Sequence, residues 1–286
     1  MKIIKLYALV IGLVISFSAI AQNDAAKARA GVRSPGLKSP GEEGPSKFNV
    51  SVGVGAASYL GDLIQGNKLY AQPGLAFSGA ISYAFTNKLG ARFDVGFQKI
   101  KAADSENTGA HKARNLSFKS TIFDFALSGE YTILDLKNFP ATPYISAGVG
   151  VMVFNSSAED VTGKKTNLRE LGTEGQGLAG YPGLYNNAAV IFPLGIGVKY
   201  PINEKMMLAL DFTYRFTRTD YLDDVSTSYP DKALLDARNP VTATFTWRGN
   251  EVGAGSYPPK NNTLPRGNPK DKDGYYSTQL KFIFNL

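Results

Sequence analysis

The sequence predicts an all-β chain: an eight-stranded antiparallel transmembrane β-barrel with long extracellular loops. Three observations predict it. Eight runs of about ten residues alternate apolar and polar side chains. Beyond the N-terminus no stretch is apolar for long enough to cross a membrane as a helix, yet Tyr and Phe number 15 and 17. The connectors between the runs alternate short and long.

The runs come in order. Phe48, Val50, Val52, Val54 and Ala56 alternate with Asn49, Ser51, Gly53 and Gly55. The second run spans Leu75–Phe85 and the third Leu89–Phe97, where Arg92 and Asp94 share the polar face. The fourth, Phe123–Ile133, carries Asp124 and Glu130 opposite its apolar face. The fifth spans Ile145–Val153. The sixth spans Val190–Tyr200 and carries Lys199. Met206–Thr217 is the seventh, with Asp211 and Arg215, and Tyr276–Leu286 the last, with Lys281. The polar faces hold Gly, Ala, Ser and charges, poor material for a soluble sandwich core, so the apolar face points outward. A sheet facing lipid leaves no edge unpaired, so it closes.

Short connectors lie at Thr86–Lys88, Leu134–Thr142 and Pro201–Lys205, long ones at Ser58–Pro73, Ala102–Asn115, Ser156–Asn186 and Thr219–Asp273. Short turns belong in the periplasm and long loops outside, which puts a multi-pass chain in the outer membrane with both termini periplasmic. The last long loop, rich in Pro, Asn and Gly after Arg248, is expected to be partly disordered.

Ahead of the barrel (residues 47–286), Lys2 and Lys5 flank an apolar run that reaches Ile20, followed by Ala21. This reads as a signal peptide, residues 1–21, cut after Ala21. Residues 22–46 are dominated by Ala, Gly, Pro, Ser and Lys and read as a flexible periplasmic tail. Its bases Lys27, Arg29, Arg33 and Lys38 form a possible partner-binding stretch; the alternative is a solvated spacer.

Function classes narrow in the same way. With no cysteine there are no disulfides, no thiolate metal sites and no lipidated N-terminal cysteine. A net charge of +7, thinly spread, points to no nucleic acid. The one histidine, His111, has no second His for a metal. Asp220, Asp223 and Asp224 lie close enough to invite calcium but lack the spacing of a calcium loop, and a turn held by side-chain to backbone bonds is favoured. No cofactor and no catalytic residue is assigned. The charges Arg92, Asp94, Asp124, Glu130, Lys199, Asp211, Arg215 and Lys281 face the lumen, four bases to four acids. A structural network that plugs the barrel is expected; a pore or a carboxylate-based catalytic site are the alternatives.

Several segments resemble one family. They are Ser58–Leu63 (SYLGDL), Arg114–Ser120 (RNLSFKS), Thr142–Gly150 (TPYISAGVG), Leu171–Gly177 (LGTEGQG), Thr219–Asp231 (TDYLDDVSTSYPD) and Arg266–Tyr276 (RGNPKDKDGYY). Together they resemble PorG-type outer-membrane proteins of the type IX secretion system over nearly all of residues 48–286. The resemblance implies a non-enzymatic component of protein transport that associates with the periplasmic ring of PorK and PorN type and is not itself the translocation pore. The alternative is a solitary small outer-membrane barrel of adhesin or structural type; in either case the barrel contacts outer-membrane lipids. The chain ends on Leu286, not on the aromatic residue that often closes such barrels.

Overall fold

The structure, a computed structural model, describes residues 47–64, 72–136, 139–258 and 265–286. The segments read as signal peptide and basic tail, with Lys27, Arg29, Arg33 and Lys38, lie outside the described residues.

Eight strands close a barrel: β1 (Phe48–Leu60), β2 (Gly74–Ala84), β3 (Leu89–Ala103), β4 (Ser117–Thr132), β5 (Thr142–Glu159), β7 (Ala188–Asn203), β8 (Met206–Thr217) and β9 (Gly274–Asn285). Neighbours pair antiparallel in chain order, and β9 returns to β1, with Val52 opposite Phe282. β6 (Lys165–Asn167) is a three-residue addition to the end of β5. All backbone pairing is internal to the ring, which is what lets a sheet face hydrocarbon.

The alternation explains the walls. Val52, Ile81, Phe93, Leu127 and Leu210 are exposed on the outside, while Ser51, Arg92, Ser128 and Asp211 are buried inside. Aromatic rings bound this apolar band. Phe48, Tyr83 and Phe85 cluster at the end of the short turns, with centroids 4.8 and 5.3 Å apart. Phe77, Phe97 and Phe123 form a row at the other end, 6.3 and 5.0 Å apart. From Phe77 to Phe85 is roughly 27 Å along the strand, or about 20 Å once strand tilt is allowed for, close to the height of an outer-membrane apolar band.

Strands β3, β4, β5 and β7 run 15 to 18 residues, beyond the roughly 9–11 that cross a bilayer. In this extra length the faces exchange roles. Ile100, Phe118, Ile122, Met152, Phe154 and Ile191 point inward and are buried, while Lys99, Lys101, Lys119 and Asn155 point outward. The expectation of a polar interior therefore fails at this end. Past the aromatic row water replaces lipid outside, and the wall packs like a soluble protein.

The described parts of the long connectors close over this core. They are ordered in short helices at Gly109–Arg114, Leu168–Leu171, Lys232–Arg238 and Pro240–Thr246. Leu63, Leu116, Leu168, Leu171, Leu222, Val225 and Phe245 plug the mouth of the barrel from above. The last long connector supplies two of these helices, capped by Asp231 and Asn239, ahead of its Pro-, Asn- and Gly-rich part; residues 259–264 of that part lie outside the described residues. We call this assembly the cap and the opposite end the turn end. One short turn is tighter than expected: β7 runs through Pro201 to Asn203 by a register shift, leaving only Glu204 and Lys205 between the strands.

Candidate functional site: the charged barrel interior and the cap

Inward-facing positions on β3, β4, β7, β8 and β9 bring the eight lumen charges together in two groups. Toward the turn end, Arg92 contacts Asp94 at 2.9 Å and Glu130 at 3.0 Å, and approaches Asp211 to 4.0 Å. Lys199 pairs with Glu130, and Lys281 lies 3.1 Å from Asp211. Tyr144 and Thr213 donate to Asp211 at 2.5 and 2.8 Å, filling its remaining acceptor sites. Nearer the cap, Arg215 pairs with Asp124 at 2.9 Å and donates to Ser277 at 3.1 Å. Tyr275 also donates to Asp124, at 2.9 Å.

Ser78 donates to Gln279 at 2.6 Å, and the buried carboxamide of Gln98 has no hydrogen-bond partner among the described residues. Gly96 stands opposite Asp124, where a Cβ would come 2.5 Å from Asp124 Oδ1. Side chains fill the bore, and an isolated buried charge would be very costly, so each charge sits beside its opposite.

The cap holds a second set of buried charges that the alternation gave no means to find. Arg114 makes a forked contact with Asp104, 2.6 Å from Nε and 2.8 Å from Nη2, and donates to the Arg266 carbonyl. Arg266 lies 3.1 Å from Glu174 and also bonds the Asp224 carbonyl. Glu174 accepts from the Ser226 amide at 2.8 Å and the Thr227 hydroxyl at 2.6 Å. Asp62 and Asn268 tie the first and last long connectors at 2.7 Å.

Among the described residues, one cluster has no base in contact. The Tyr59 hydroxyl lies 2.6 Å from Asp223 Oδ2 and 2.6 Å from Asp273 Oδ1, with all three residues buried. A hydroxyl donates one proton. For both contacts to be hydrogen bonds, one carboxyl must be protonated and donate to the tyrosyl oxygen. Burial, and then the charge of neighbouring acids, pushes Asp223 and Asp273 well above the usual carboxylate range. Burial likewise raises Asp220 to about 7 and, against the pull of Arg266, Asp224 to about 6.

Asp220, Asp223 and Asp224 each accept local hydrogen bonds, and among the described residues the buried Oδ1 of Asp220 has no hydrogen-bond partner. Asp223 accepts from the Val225 amide at 2.9 Å, closing a tight turn, Asp220 accepts from Ser226 at 2.6 Å, and Asp224 accepts from Thr173 and Tyr185. No cluster of His, Cys, Asp or Glu fit to hold a metal is present among the described residues. His111 sits half-buried in the helix Gly109–Arg114.

The family model for the outer membrane protein β-barrel domain matches residues 10–248. Among solved structures the chain is similar to the neisserial surface protein NspA, at 12% identity over 85% of this chain and all of that one, with a TM-score of 0.41. It is also similar to Ail, the attachment invasion locus protein of Yersinia pestis, at 10% identity over 84% and 99% of the two chains (TM-score 0.40). The N-terminal β-barrel domain of OprF from Pseudomonas aeruginosa matches at 12% identity over 83% and 97% (TM-score 0.35). No curated protein matches the chain. With most of its length covered by the family model and its strands closed into one antiparallel ring, the chain belongs to the outer membrane protein β-barrel domain family, and its site is the outer membrane.

Proposed function

We propose that this chain is a non-enzymatic, non-conducting outer-membrane barrel of the structural or adhesive kind, whose working part is the rigid cap. The observation that carries this reading is the pairing of all eight lumen charges across a bore filled by side chains, below a mouth plugged by an apolar core. In this reading the cap faces the outside and both termini the periplasm, since long connectors belong outside and short turns inside. A leader ending at Ala21 delivers the chain. Orientation is tested by placing a single cysteine at Val252, an exposed cap position, and labelling intact cells with an impermeant maleimide. Labelling is expected; labelling only after the envelope is opened contradicts it.

A second reading makes the barrel a PorG-type component of the type IX secretion system, docked on a periplasmic ring of PorK and PorN type. One observation favours it. Five of the segments that carry that resemblance meet in the cap. Arg114 reaches the backbone of Asp62 and Arg266, Arg266 reaches Glu174 and Asp224, and Asp273 shares Tyr59 with Asp223. A family that shares these segments would share this cap. The tail bases Lys27, Arg29, Arg33 and Lys38 would supply the ring contact. Deletion of the gene should then strand type IX cargo inside the envelope with porin content unchanged; normal export leaves the solitary barrel.

A further inference from the structure

We propose that the outer wall of β3, β4 and β5, just above the aromatic row, binds the phosphorylated saccharide headgroup of a glycolipid in the outer leaflet. The proposal rests on the cap facing outward.

The wall changes character over a single step there. Phe97, Phe123 and Val153 stand side by side on the outer face, in register across three strands. Phe123 and Val153 are 49% and 46% exposed, the exposure of lipid-facing residues elsewhere on the wall. The next outward row is Lys99, Thr121 and Asn155, and above it stand Lys101 and Lys119. This boundary between apolar and polar rows is where headgroups meet a barrel.

Three lysines crowd it. Lys101 lies directly opposite Lys119, a like-charge cross-strand pair that destabilises a sheet unless an anion lies between. Lys119 reaches Glu159 at 2.6 Å, on the exposed surface. Among the described residues neither Lys99 nor Lys101 has an acidic partner, and the Lys99 ammonium lies 5.9 Å from the centre of the Phe97 ring. A cation held against an aromatic ring at the edge of the hydrocarbon is well placed for a lipid phosphate.

A cavity of about 360 Å³ opens beside them. It exists because β7 pairs with β5 only as far as Ala188 opposite Val153, above which β5 turns its edge to β6. Phe123 and Val153 form its apolar lower lip, while Thr121, Asn155, Arg169 and Glu170 line it above. Carboxamide, hydroxyl, guanidinium and carboxylate groups over an apolar lip suit a sugar carrying an acyl chain, with its phosphate on the lysines.

The test uses the full-length barrel in phosphatidylcholine nanodiscs. A phosphorylated diglucosamine lipid is titrated in, with phosphatidylglycerol and inorganic phosphate as comparison arms. Bound lipid is counted by native mass spectrometry, and stability is followed by heat-modifiable gel mobility. The glycolipid should bind more tightly than phosphatidylglycerol, and inorganic phosphate should leave stability unchanged. Each base near an anionic surface contributes about fivefold, so the Lys99→Gln, Lys101→Gln, Lys119→Gln variant should lose on the order of 100-fold in glycolipid affinity. The Thr121→Leu, Asn155→Leu variant should bind both lipids alike. Unchanged binding by the lysine variant overturns the proposal, as does stabilisation by inorganic phosphate alone. Since these positions face outward, the variants should keep native heat-modifiability; one that loses it is replaced by single substitutions, read the same way. The Val252 labelling checks the cap's orientation separately, and an inward-facing cap overturns the glycolipid assignment whatever the binding result.

Discussion

Inside the barrel, each buried acid has a base beside it: Asp124 has Arg215, Glu130 has Lys199, Asp211 has Lys281 and Asp94 has Arg92. In the cap, Asp223 and Asp273 have a tyrosyl hydroxyl between them and, among the described residues, no base in contact. The barrel solves burial of charge by pairing, the cap partly by holding a proton. The first solution is intolerant of losing one partner. The second tolerates a neutral isostere and responds to pH.

The largest effect should come from orphaning a lumen charge. Arg215→Met leaves Asp124 buried without its base and should cost about 3–5 kcal/mol in urea unfolding read by gel mobility. Adding Asp124→Leu should recover much of that loss, because the double variant buries no lone charge. A double variant as weak as the single one would mean that the pair acts through packing alone. Register sets the next effect. Phe93→Arg puts a charge at the outer wall and should cost roughly 2–4 kcal/mol, whereas Ser82→Ala, on the opposite face of the same barrel, should be close to neutral.

How much of this contrast the sequence carried depends on periodicity. A side chain on a strand points in or out by parity, so Arg92, Asp211 and Lys281 are assigned to the lumen from the pattern alone. Their partners are not. Arg215 on β8 pairs with Asp124 on β4, a partner that parity does not name, because which wall faces which depends on barrel closure. The cap left a signal that is easy to pass over. In β4 the apolar parity runs Phe118 and Ile122, then shifts to Phe123 and Phe125; in β5, Val149, Val151 and Val153 give way to Phe154. That phase change marks where the outside ceases to be lipid. The ion pairs of Arg114 and Arg266 join connectors far apart in the chain, with no period to reveal them.

Smaller effects separate the two solutions within the cap. Arg266→Met leaves Glu174 without its base and should open the cap to protease while the barrel keeps its heat-modifiable mobility. Loss of both together would mean that the cap and barrel fold as one unit. Smallest is the effect of pH. A carboxyl raised in the folded state binds its proton more tightly there than in the open state. Its contribution is therefore present in full below the ordinary carboxylate pKa and is lost as pH rises toward the folded value, about 7 for Asp220 and well above the usual range for Asp223 and Asp273. Hydrogen-exchange protection of the Leu222 and Val225 amides should fall from pH 5 to pH 8, and Asp223→Asn, neutral at every pH, should flatten that slope while costing no more than about 1 kcal/mol at pH 5. Protection that rises with pH would exclude a held proton.

The claim on which the account turns is that paired charges and a plugged mouth leave no water path through the barrel. Single-channel recording of the purified protein in planar bilayers tests it directly. The account predicts a flat baseline for the native protein across moderate voltages and salt concentrations. Steady, reproducible channels from the native protein would contradict it.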